Sequence, residues 1–382
     1  MTDSTSDESP PPSLPLPLPP LKPASPEKPP RRVRYSGKNP RNFHEKYKEL
    51  QPERYADDVA KVLAGGKTPA GMHRPIMVRE ILEVLAPQPG EIGVDCTLGY
   101  GGHSRELLAA VQPGGRLLAV DSDPIELPKT EARLRALGFP PESLVVRRLN
   151  FAGIASFIAT ESPEGADVIL ADLGISSMQI DDPHRGFSFK TQGPLDMRMN
   201  PTRGLTASDM LSKLSVERLS QILTENADEP HADLLAETLH RTHLRKPLKT
   251  TQALAELIRA TLIRERRTSG EDPESSVQRV FQALRIAVND ELGALQELLR
   301  TLPYCLKPGG RVAFLTFHSG EDRRVKHAFK QGHQEGIYSR ISAEPIRTGP
   351  AERRDNPRSS SAKLRFAIRA AAAPESVEGS ER

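Results

Sequence analysis

The sequence of 382 residues has little of what marks several common protein classes. It contains no tryptophan, and aromatic residues make up only 4% of it. Its two cysteines, Cys96 and Cys305, are too few for a disulfide framework or a cysteine-rich metal cluster. No group of histidines and cysteines has metal-ligand spacing either. We therefore expect a protein of the reducing cytoplasm that binds no metal.

Long apolar runs are also missing. No stretch of about 18 apolar residues occurs, so the sequence predicts no membrane-spanning helix. The N-terminal segment lacks the hydrophobic region of a signal peptide, and its acidic residues Asp3, Asp7 and Glu8 argue against an organelle transit peptide. We expect no association with a membrane.

A strong net charge is absent too. The formal net charge is only +3, so no overall electrostatic field attracts nucleic acid. The charge is uneven, however, because residues 240–285 contain 10 Lys or Arg against 5 Asp or Glu. Such a local excess is typical of a nucleic-acid-binding surface and equally of a solvated helix surface.

Proline is abundant at one end of the chain. Of the 35 prolines, 11 lie in the first 30 residues, where the backbone cannot form regular helix or sheet. We predict a disordered Pro-rich arm at residues 1–70 and a disordered polar tail at residues 371–382. The part between them is long enough to bury a core without disulfides.

Short apolar runs alternate with helical patterns from residue 76 onward. Helical spacing predicts helices at 78–85 and 125–137, and Ser104 is expected to cap another that ends near Val111. Buried strands are predicted at 92–96, 116–121, 144–146 and 166–172. This alternation indicates a parallel sheet with helices on both faces, in which a ligand lies beyond the carboxyl ends of the strands.

The pattern changes after Asp172. Residues 173–205 are rich in glycine and proline, and residues 206–300 read as helices, with one long amphipathic stripe from Val277 to Leu299. Strand character returns only at 311–317. We therefore predict an α/β sheet domain at 71–178 and 301–370, with an inserted loop and helical domain for the substrate at 179–300.

A glycine-rich turn, Asp95 to Ser104, follows the first strand and opens a helix. Glycines allow a ligand to approach the backbone, and a helix N-terminus offers unpaired N–H groups, although a tight connection would use the same residues. Asp121, at the end of the next strand, can accept hydrogen bonds from a ribose diol. Because Ser104 replaces the third glycine of a dinucleotide fingerprint, we favour S-adenosylmethionine. Asp95 and the glycines would hold its amino acid end, with Phe151 beside the adenine.

These residues and several further motifs resemble the RsmH (MraW) family of ribosomal RNA small-subunit methyltransferases H. The resemblance extends from about His73 to Arg369, and its motifs lie at 95–104, 172–177, 185–189, 193–199, 279–286, 317–323 and 356–365. It implies a Rossmann-like class I methyltransferase sheet with an inserted all-helical domain. It also implies methyl transfer from S-adenosylmethionine to the N4 amino group of a cytidine in the decoding region of 16S rRNA (cytidine 1402 in standard rRNA numbering).

The resemblance also implies a set of cofactor contacts. By motif match these are Gly101, Gly102, His103, Asp121, Phe151, Asp172 and Gln179. The chain departs from the usual family pattern at Met178, Gly320 and Ser360, and the last stands where a basic residue is common. None of the departures removes an implied contact, although Ser360 could weaken binding to RNA phosphates.

The residues at the fourth strand end suggest how a weakly nucleophilic amino group is methylated. Asp172 is the candidate catalytic residue, since its carboxylate can accept a hydrogen bond from the amino group. A role in cofactor binding or loop anchoring alone fits Asp172 equally well. Phe187 or Phe189 would stack on a target base that has left its helix. His103 and His318 are weaker candidates for a general base.

Five arginines lie in or close to the motifs nearest the predicted site. We expect contacts to RNA phosphates from Arg185, Arg198, Arg203, Arg279 and Arg285, although a structural role fits Arg285 as well. The expected partner is 16S rRNA in the small ribosomal subunit, and the oligomeric state is left open, a homodimer included. Three other functions stay open from the residues: an NAD-dependent dehydrogenase, a methyltransferase with a DNA or protein target, and a non-catalytic RNA-binding assembly factor.

Overall fold

The computed structural model describes residues 75–265 and 272–371. The predicted arm at 1–70 and the predicted tail, apart from Ala371, lie outside these ranges. Within them, no helix is both long and apolar enough to cross a membrane. No group of three or more histidine, cysteine or acidic side chains in these ranges is placed to hold a metal ion.

A single sheet lies at the centre of the molecule. Its strands are β1 (Ile92–Asp95), β2 (Arg116–Asp121), β3 (Leu144–Arg148), β4 (Ala166–Asp172), β5 (Leu306–Thr316), β6 (Tyr338–Ile341), β7 (Ile346–Arg347) and β8 (Lys363–Arg369). The strand order is β3-β2-β1-β4-β5-β8-β6, with β7 also paired to β8. The first five strands are parallel, whereas β8 is antiparallel to β5. The predicted Rossmann-like α/β sheet is confirmed.

Helices connect the strands and continue after β4. They are α1 (Val78–Leu85), α2 (Gly102–Ala110), α3 (Leu127–Arg135), α4 (Ile154–Glu161), α5 (Ser177–Asp181), α6 (Ala207–Lys213), α7 (Val216–Ala227), α8 (Ala232–Arg245), α9 (Thr251–Arg264), α10 (Pro273–Asn289), α11 (Glu291–Cys305), α12 (Ser319–Gln334) and α13 (Pro350–Asp355). Short 3-10 turns lie at Pro141–Ser143, Phe151–Gly153, Pro183–Arg185 and Pro357–Ser361.

Hydrophobic clusters cover both faces of the sheet, because successive side chains of a strand point to opposite sides. In β2, Leu118 and Val120 pack in a cluster with α4, α11 and α12. Leu117 and Ala119 pack on the other face with α1, α2 and α3. All four side chains are completely buried. A sheet covered in this way leaves only its strand ends open to a ligand.

A third hydrophobic cluster holds α6 to α10 together. The predicted stripe from Val277 to Leu299 is not one helix, since Asp290 adopts a left-handed conformation (φ 49°) between α10 and α11. Val280 and Leu284 on α10 pack in the helical cluster. Leu295 on α11 packs against the sheet. The predicted stripe is therefore divided between two helices and two cores.

The antiparallel strand β8 is attached to α12 by an ion-pair cluster. Arg365 is 2% exposed, and its Nε donates to Oδ1 of Asp322 at 2.6 Å. Nζ of Lys363 donates to Oδ2 of the same carboxylate at 3.0 Å. Burial raises the pKa of Asp322, but the two cations lower it overall. These contacts fix the C-terminal segment beside the strand ends.

Candidate functional site

A cavity of about 520 Å³ opens at the carboxyl ends of the parallel strands. Six of the seven predicted cofactor residues line it: Gly102, His103, Asp121, Phe151, Asp172 and Gln179. Its other walls come from the start of the described chain, from α10 and α11, and from the turn before β8. The topology thus brings residues that are far apart in the sequence to one pocket, as expected for an open α/β sheet.

Gly101 lies behind the cavity wall. It is the N-terminal cap of α2 with φ 74°, and it is buried. A Cβ atom at this position would lie 2.9 Å from Cγ2 of Thr130, so only glycine fits beneath α3. The predicted direct contact of Gly101 with the cofactor therefore stays a prediction, and its observed role is to let the turn pack closely.

Ser104 does not cap α2, contrary to the prediction. Its hydroxyl donates to Oδ2 of Asp95 at 2.6 Å, inside the core of the turn. The other oxygen of Asp95 accepts from the amide of Thr97 at 2.9 Å. Asp95 is 1% exposed, and burial raises the pKa of its carboxyl. The expectation that Asp95 holds the amino acid end of the cofactor was wrong, because its carboxylate braces the turn from behind.

Asp121 reaches the cavity from the end of β2. Oδ2 accepts from the amide of Gly99 at 2.8 Å, and Oδ1 accepts from the amide of Asp123 at 2.8 Å. Burial raises the pKa of Asp121, and these two backbone bonds oppose the rise. Each carboxylate oxygen has a second acceptor position, so the side chain still has capacity for the two hydroxyls of a ribose.

Sequence reasoning missed Asp123, which is 2% exposed and central to the site. Oδ2 accepts from Nε2 of Gln179 at 2.9 Å and from Nη1 of Arg185 at 2.9 Å. Oδ1 accepts from the amide of Ile125 at 2.8 Å. The available signal was a second carboxylate two positions after Asp121. Asp123 ties the strand end to the segments that follow β4.

His103 forms a buried pair with the candidate catalytic residue. Its Nδ1 lies 3.3 Å from Oδ2 of Asp172, and Nε2 donates to the carbonyl of Ile76 at 2.9 Å. Burial lowers the pKa of His103, but Asp172 and the Ile76 carbonyl raise it more, to about 9. The ring is therefore an imidazolium at neutral pH with both nitrogens engaged. It lacks the free lone pair of a general base.

Asp172 keeps one oxygen unengaged. Its amide donates to Oγ1 of Thr97 at 2.7 Å, which fixes the strand end against the glycine turn. Oδ1 is buried and has no hydrogen-bond partner among the described residues. A buried acceptor without a donor costs free energy, so this atom is suited to a donor supplied by a ligand.

Gln179 and Phe151 line the cavity from opposite segments. Gln179 forms a capping box with Ser176 at the start of α5, and its amide nitrogen binds Asp123. Phe151 begins the 3-10 turn after β3 and packs, half-buried, against the sheet cluster. The predicted contact of each with the cofactor stays a prediction.

Most of the arginines predicted to bind phosphate form ion pairs or hydrogen bonds with other residues of the protein. Arg185 is 8% exposed and donates to Asp123 and to the carbonyl of Met199 (2.6 Å), so its prediction was wrong. The others face acids: Arg198 faces Asp196 at 2.7 Å, Arg279 faces Glu229 at 3.9 Å and Arg285 faces Glu291 at 2.8 Å. Arg203 is exposed.

The two phenylalanines proposed to stack on the base belong to the helical cluster instead. Phe187 is 8% exposed, and the ring of Phe189 lies 5.3 Å from that of Phe281, edge to face. Neither is among the residues that line the cavity. The stacking prediction is therefore not supported, because the loop turns both rings away from the strand ends.

His318 caps α12 at the cavity wall. Its Nδ1 accepts from the amide of Glu321 at 3.4 Å, and its Nε2 lies 3.1 Å from Oε1 of Glu321. Burial raises the pKa of Glu321, but His318 and the amide of Phe317 lower it overall. A histidine held in this way braces the helix start, and its geometry does not favour the general-base role.

The turn Asn356–Ser361 forms a wall that sequence reasoning did not assign to the cavity. Asn356, Arg358, Ser360 and Ser361 all line it. These residues lie in a segment that the motif comparison recognised, but nothing in its local pattern indicates that the antiparallel β8 returns it to the strand ends.

Comparison with known proteins gives consistent matches. Residues 70–370 match the model of the MraW methylase family. Ribosomal RNA small subunit methyltransferase H 1 of Lachnoclostridium phytofermentans is 49% identical over 342 residues, 89% of this chain and 93% of the relative. Ribosomal RNA small subunit methyltransferase H 2 of Alkaliphilus metalliredigens is 49% identical over 347 residues, which are 90% of this chain and 99% of the relative.

A solved structure, a SAM-dependent O-methyltransferase from Thermotoga maritima, aligns with a TM-score of 0.34 and 12% identity, over 78% of this chain and 66% of that one. The chain belongs to the MraW methylase family.

Proposed function

We propose that the protein transfers the methyl group of S-adenosylmethionine to the N4 amino group of a cytidine in the decoding region of 16S rRNA. Family membership and relatives named as small-subunit rRNA methyltransferases support methyl transfer to rRNA, with S-adenosylmethionine as the cofactor. The choice of a cytosine amino group rests on the resemblance and on Asp172, which lines the cavity and whose Oδ1 has no hydrogen-bond partner among the described residues. That oxygen carries the proposal.

The residues present fit this cofactor. Asp121 would accept hydrogen bonds from the ribose hydroxyls, and Phe151 would flank the adenine. The glycine turn, with Gly102 at the cavity and no side chain to block approach, would receive the amino acid end. The cavity of about 520 Å³ falls within the range of cofactor and small-molecule sites.

S-adenosylmethionine supplies an electrophilic methyl group when it is bound. A cytosine amino nitrogen is a weak nucleophile because its lone pair is delocalised into the ring. Oδ1 of Asp172 would accept a hydrogen bond from the amino group, which orients the nitrogen. It would also take up the proton that the nitrogen loses when the methyl–nitrogen bond forms and the methyl–sulfur bond breaks. The His103 imidazolium engages Oδ2 and so holds the carboxylate with Oδ1 available.

The target base has to leave its stack to reach an atom at the strand ends. Gln282, Arg285 and Asn289 place one face of α10 on the cavity wall. We therefore propose that the helical unit α6 to α10 helps to position the RNA. We propose Asp290, rather than residue 300, as the boundary between the sheet and helical units, because α11 packs on the sheet.

The direct test is methyl transfer from labelled S-adenosylmethionine to small ribosomal subunits from cells that lack the enzyme, followed by mapping of the labelled base. Label on the N4 atom of a decoding-region cytidine supports the proposal. Label on protein, on another base or on no component contradicts it. Binding of NAD in place of S-adenosylmethionine would indicate a dehydrogenase instead.

The Asp172→Asn variant tests the role of the carboxylate. We expect the turnover rate to fall by at least about 100-fold, the usual size of a proton-transfer contribution, while S-adenosylmethionine still binds. The measurement pairs single-turnover methyl transfer with equilibrium cofactor binding. Near-normal turnover with intact binding of S-adenosylmethionine would show that Asp172 only contacts the cofactor or anchors the loop.

A further inference from the structure

Arg358 is placed at the cavity with part of its guanidinium unengaged. Its Nη2 donates to Oδ1 of Asp181, at the end of α5, at 2.8 Å. Its Nη1 is buried and has no hydrogen-bond partner among the described residues. Ser360 and Ser361 are exposed on the same turn and line the same cavity. One cationic donor and two hydroxyls thus border one opening.

The turn that carries Arg358 is held from several sides. The side chain of Asn356 accepts from the amide of Arg358 at 3.3 Å. Ser359 is fully buried, and its carbonyl accepts from Oγ1 of Thr348 at 3.1 Å. Upstream, Glu352 accepts from the amide of Met77 at 2.8 Å, which ties α13 to the start of α1. A turn supported in this way presents Arg358 with little freedom to move.

Cationic side chains continue along the outside of this turn. Arg353 and Arg354 on α13 are exposed and form no ion pair with any described residue. This contrasts with Arg185, which is buried against Asp123. Exposed cations such as Arg203 remain in the loop after β4, but they do not line the cavity. Of the two arginines that do line it, Arg285 is paired with Glu291, and Arg358 keeps Nη1 without a partner among the described residues.

We propose that Arg358, with the hydroxyls of Ser360 and Ser361, binds a backbone phosphate of the RNA beside the target nucleotide. Guanidinium groups bind phosphate through paired N–H donors, and Nη1 is such a donor with no acceptor in the described part of the chain. The exposed Arg353 and Arg354 extend the same surface along the RNA backbone. The inference rests on the proposed function and names the surface by which that substrate enters.

A cofactor carboxylate is the competing anion, and the Arg358→Gln variant separates the two. We expect binding of a fluorescent decoding-region RNA to weaken about tenfold, and the slope of log affinity against log salt to lose about one unit. S-adenosylmethionine affinity should stay unchanged. A parallel loss of cofactor affinity, or unchanged RNA affinity, overturns the proposal.

Two further variants exclude a merely structural role. Asp181→Asn breaks the same ion pair but keeps the guanidinium, so RNA affinity should not fall. If it falls as far as in Arg358→Gln, the arginine is only a brace and the proposal fails. Arg300→Gln, on an exposed arginine of α11 that pairs with Glu297, is the matched control and should bind RNA normally.

A variant that is expected to bind RNA more tightly provides a further test, because misfolding cannot produce tighter binding. Ser360 is exposed at the cavity wall, so Ser360→Lys adds a cation beside Arg358. RNA binding should tighten several-fold, with about one unit added to the salt slope. An unchanged slope contradicts the phosphate site. If the unmodified protein fails to methylate small subunits, the proposed function itself fails. If it methylates them normally but Arg358→Gln and Ser360→Lys leave RNA affinity unchanged, only this inference is rejected.

Discussion

The imidazole of His103 lies between two acceptors, the carbonyl of Ile76 and the carboxylate of Asp172. Sequence analysis identified both residues of the pair but not their contact, because positions 69 apart in the chain meet only when β1 and β4 become neighbours. For the same reason Arg185 was misassigned. Its position in a motif near the predicted site suggested a contact with RNA phosphate, whereas its ion pair with Asp123 holds it in the core.

The pKa of His103 leads to a pH dependence of stability. The folded-state pKa of about 9 lies above the ordinary 6.5, so the pair stabilises the fold fully below pH 6.5. This contribution, about 3 kcal/mol, is lost as pH rises through 9. We expect the free energy of unfolding to fall between pH 6.5 and pH 9.5 in the unmodified protein and to fall much less in His103→Gln. Denaturant titrations at several pH values provide the measurement, and equal pH slopes in the two proteins would contradict it.

At the scale of single elements, local patterns predicted the strands well. Runs of aliphatic residues predicted β1 to β4 correctly, because a strand that is buried on both faces has a nearly continuous apolar sequence. Helix ends were less predictable. The break at Asp290 has no glycine or proline to signal it, and the turn of β8 back beside β5 depends on long-range pairing.

Two glycines in the segment after β4 allow the stability cost of a steric clash to be measured apart from the cost of a left-handed backbone. Gly186 (φ 72°) and Gly204 (φ 78°) are both left-handed, but a Cβ at Gly186 would lie 2.0 Å from the carbonyl oxygen of Pro194, and one at Gly204 would meet open space. We expect Gly204→Ala to cost about 1–2 kcal/mol, from backbone strain alone. Gly186→Ala should cost clearly more, because the backbone around Pro194 must also move. Urea denaturation of both variants measures the difference, and equal midpoints would contradict the close approach.

At the scale of the whole molecule, two structural units share one cavity. The sheet unit supplies the glycine turn and the carboxylates of Asp121, Asp123 and Asp172. Helix α10, which belongs to the helical cluster, supplies one wall. The change of pattern after Asp172 predicted an inserted helical domain, and that division into domains stays a prediction. The sequence could not place the C-terminal turn in the same cavity, since that depends on how β8, α12 and α13 pack.

A substitution deep in the helical cluster should separate stability from cofactor binding. Leu239 on α8 is completely buried and does not line the cavity. We expect Leu239→Ala to lower the free energy of unfolding by about 2–5 kcal/mol, the usual range for a buried leucine. The affinity for S-adenosylmethionine, measured where the variant is folded, should stay within about twofold. A tenfold loss would show that the helical cluster helps to hold the cofactor.

The most direct test of the central claim is the equilibrium binding of S-adenosylmethionine to the unmodified protein and to Asp121→Ala, by calorimetry. Asp209→Ala, on the exposed face of α6, serves as the control. We expect the unmodified protein and the control to bind equally. Asp121→Ala should bind at least about tenfold more weakly, because the two ribose hydroxyls lose a charged acceptor. An unmodified protein that does not bind the cofactor, or an Asp121→Ala variant that binds it normally, would contradict the account.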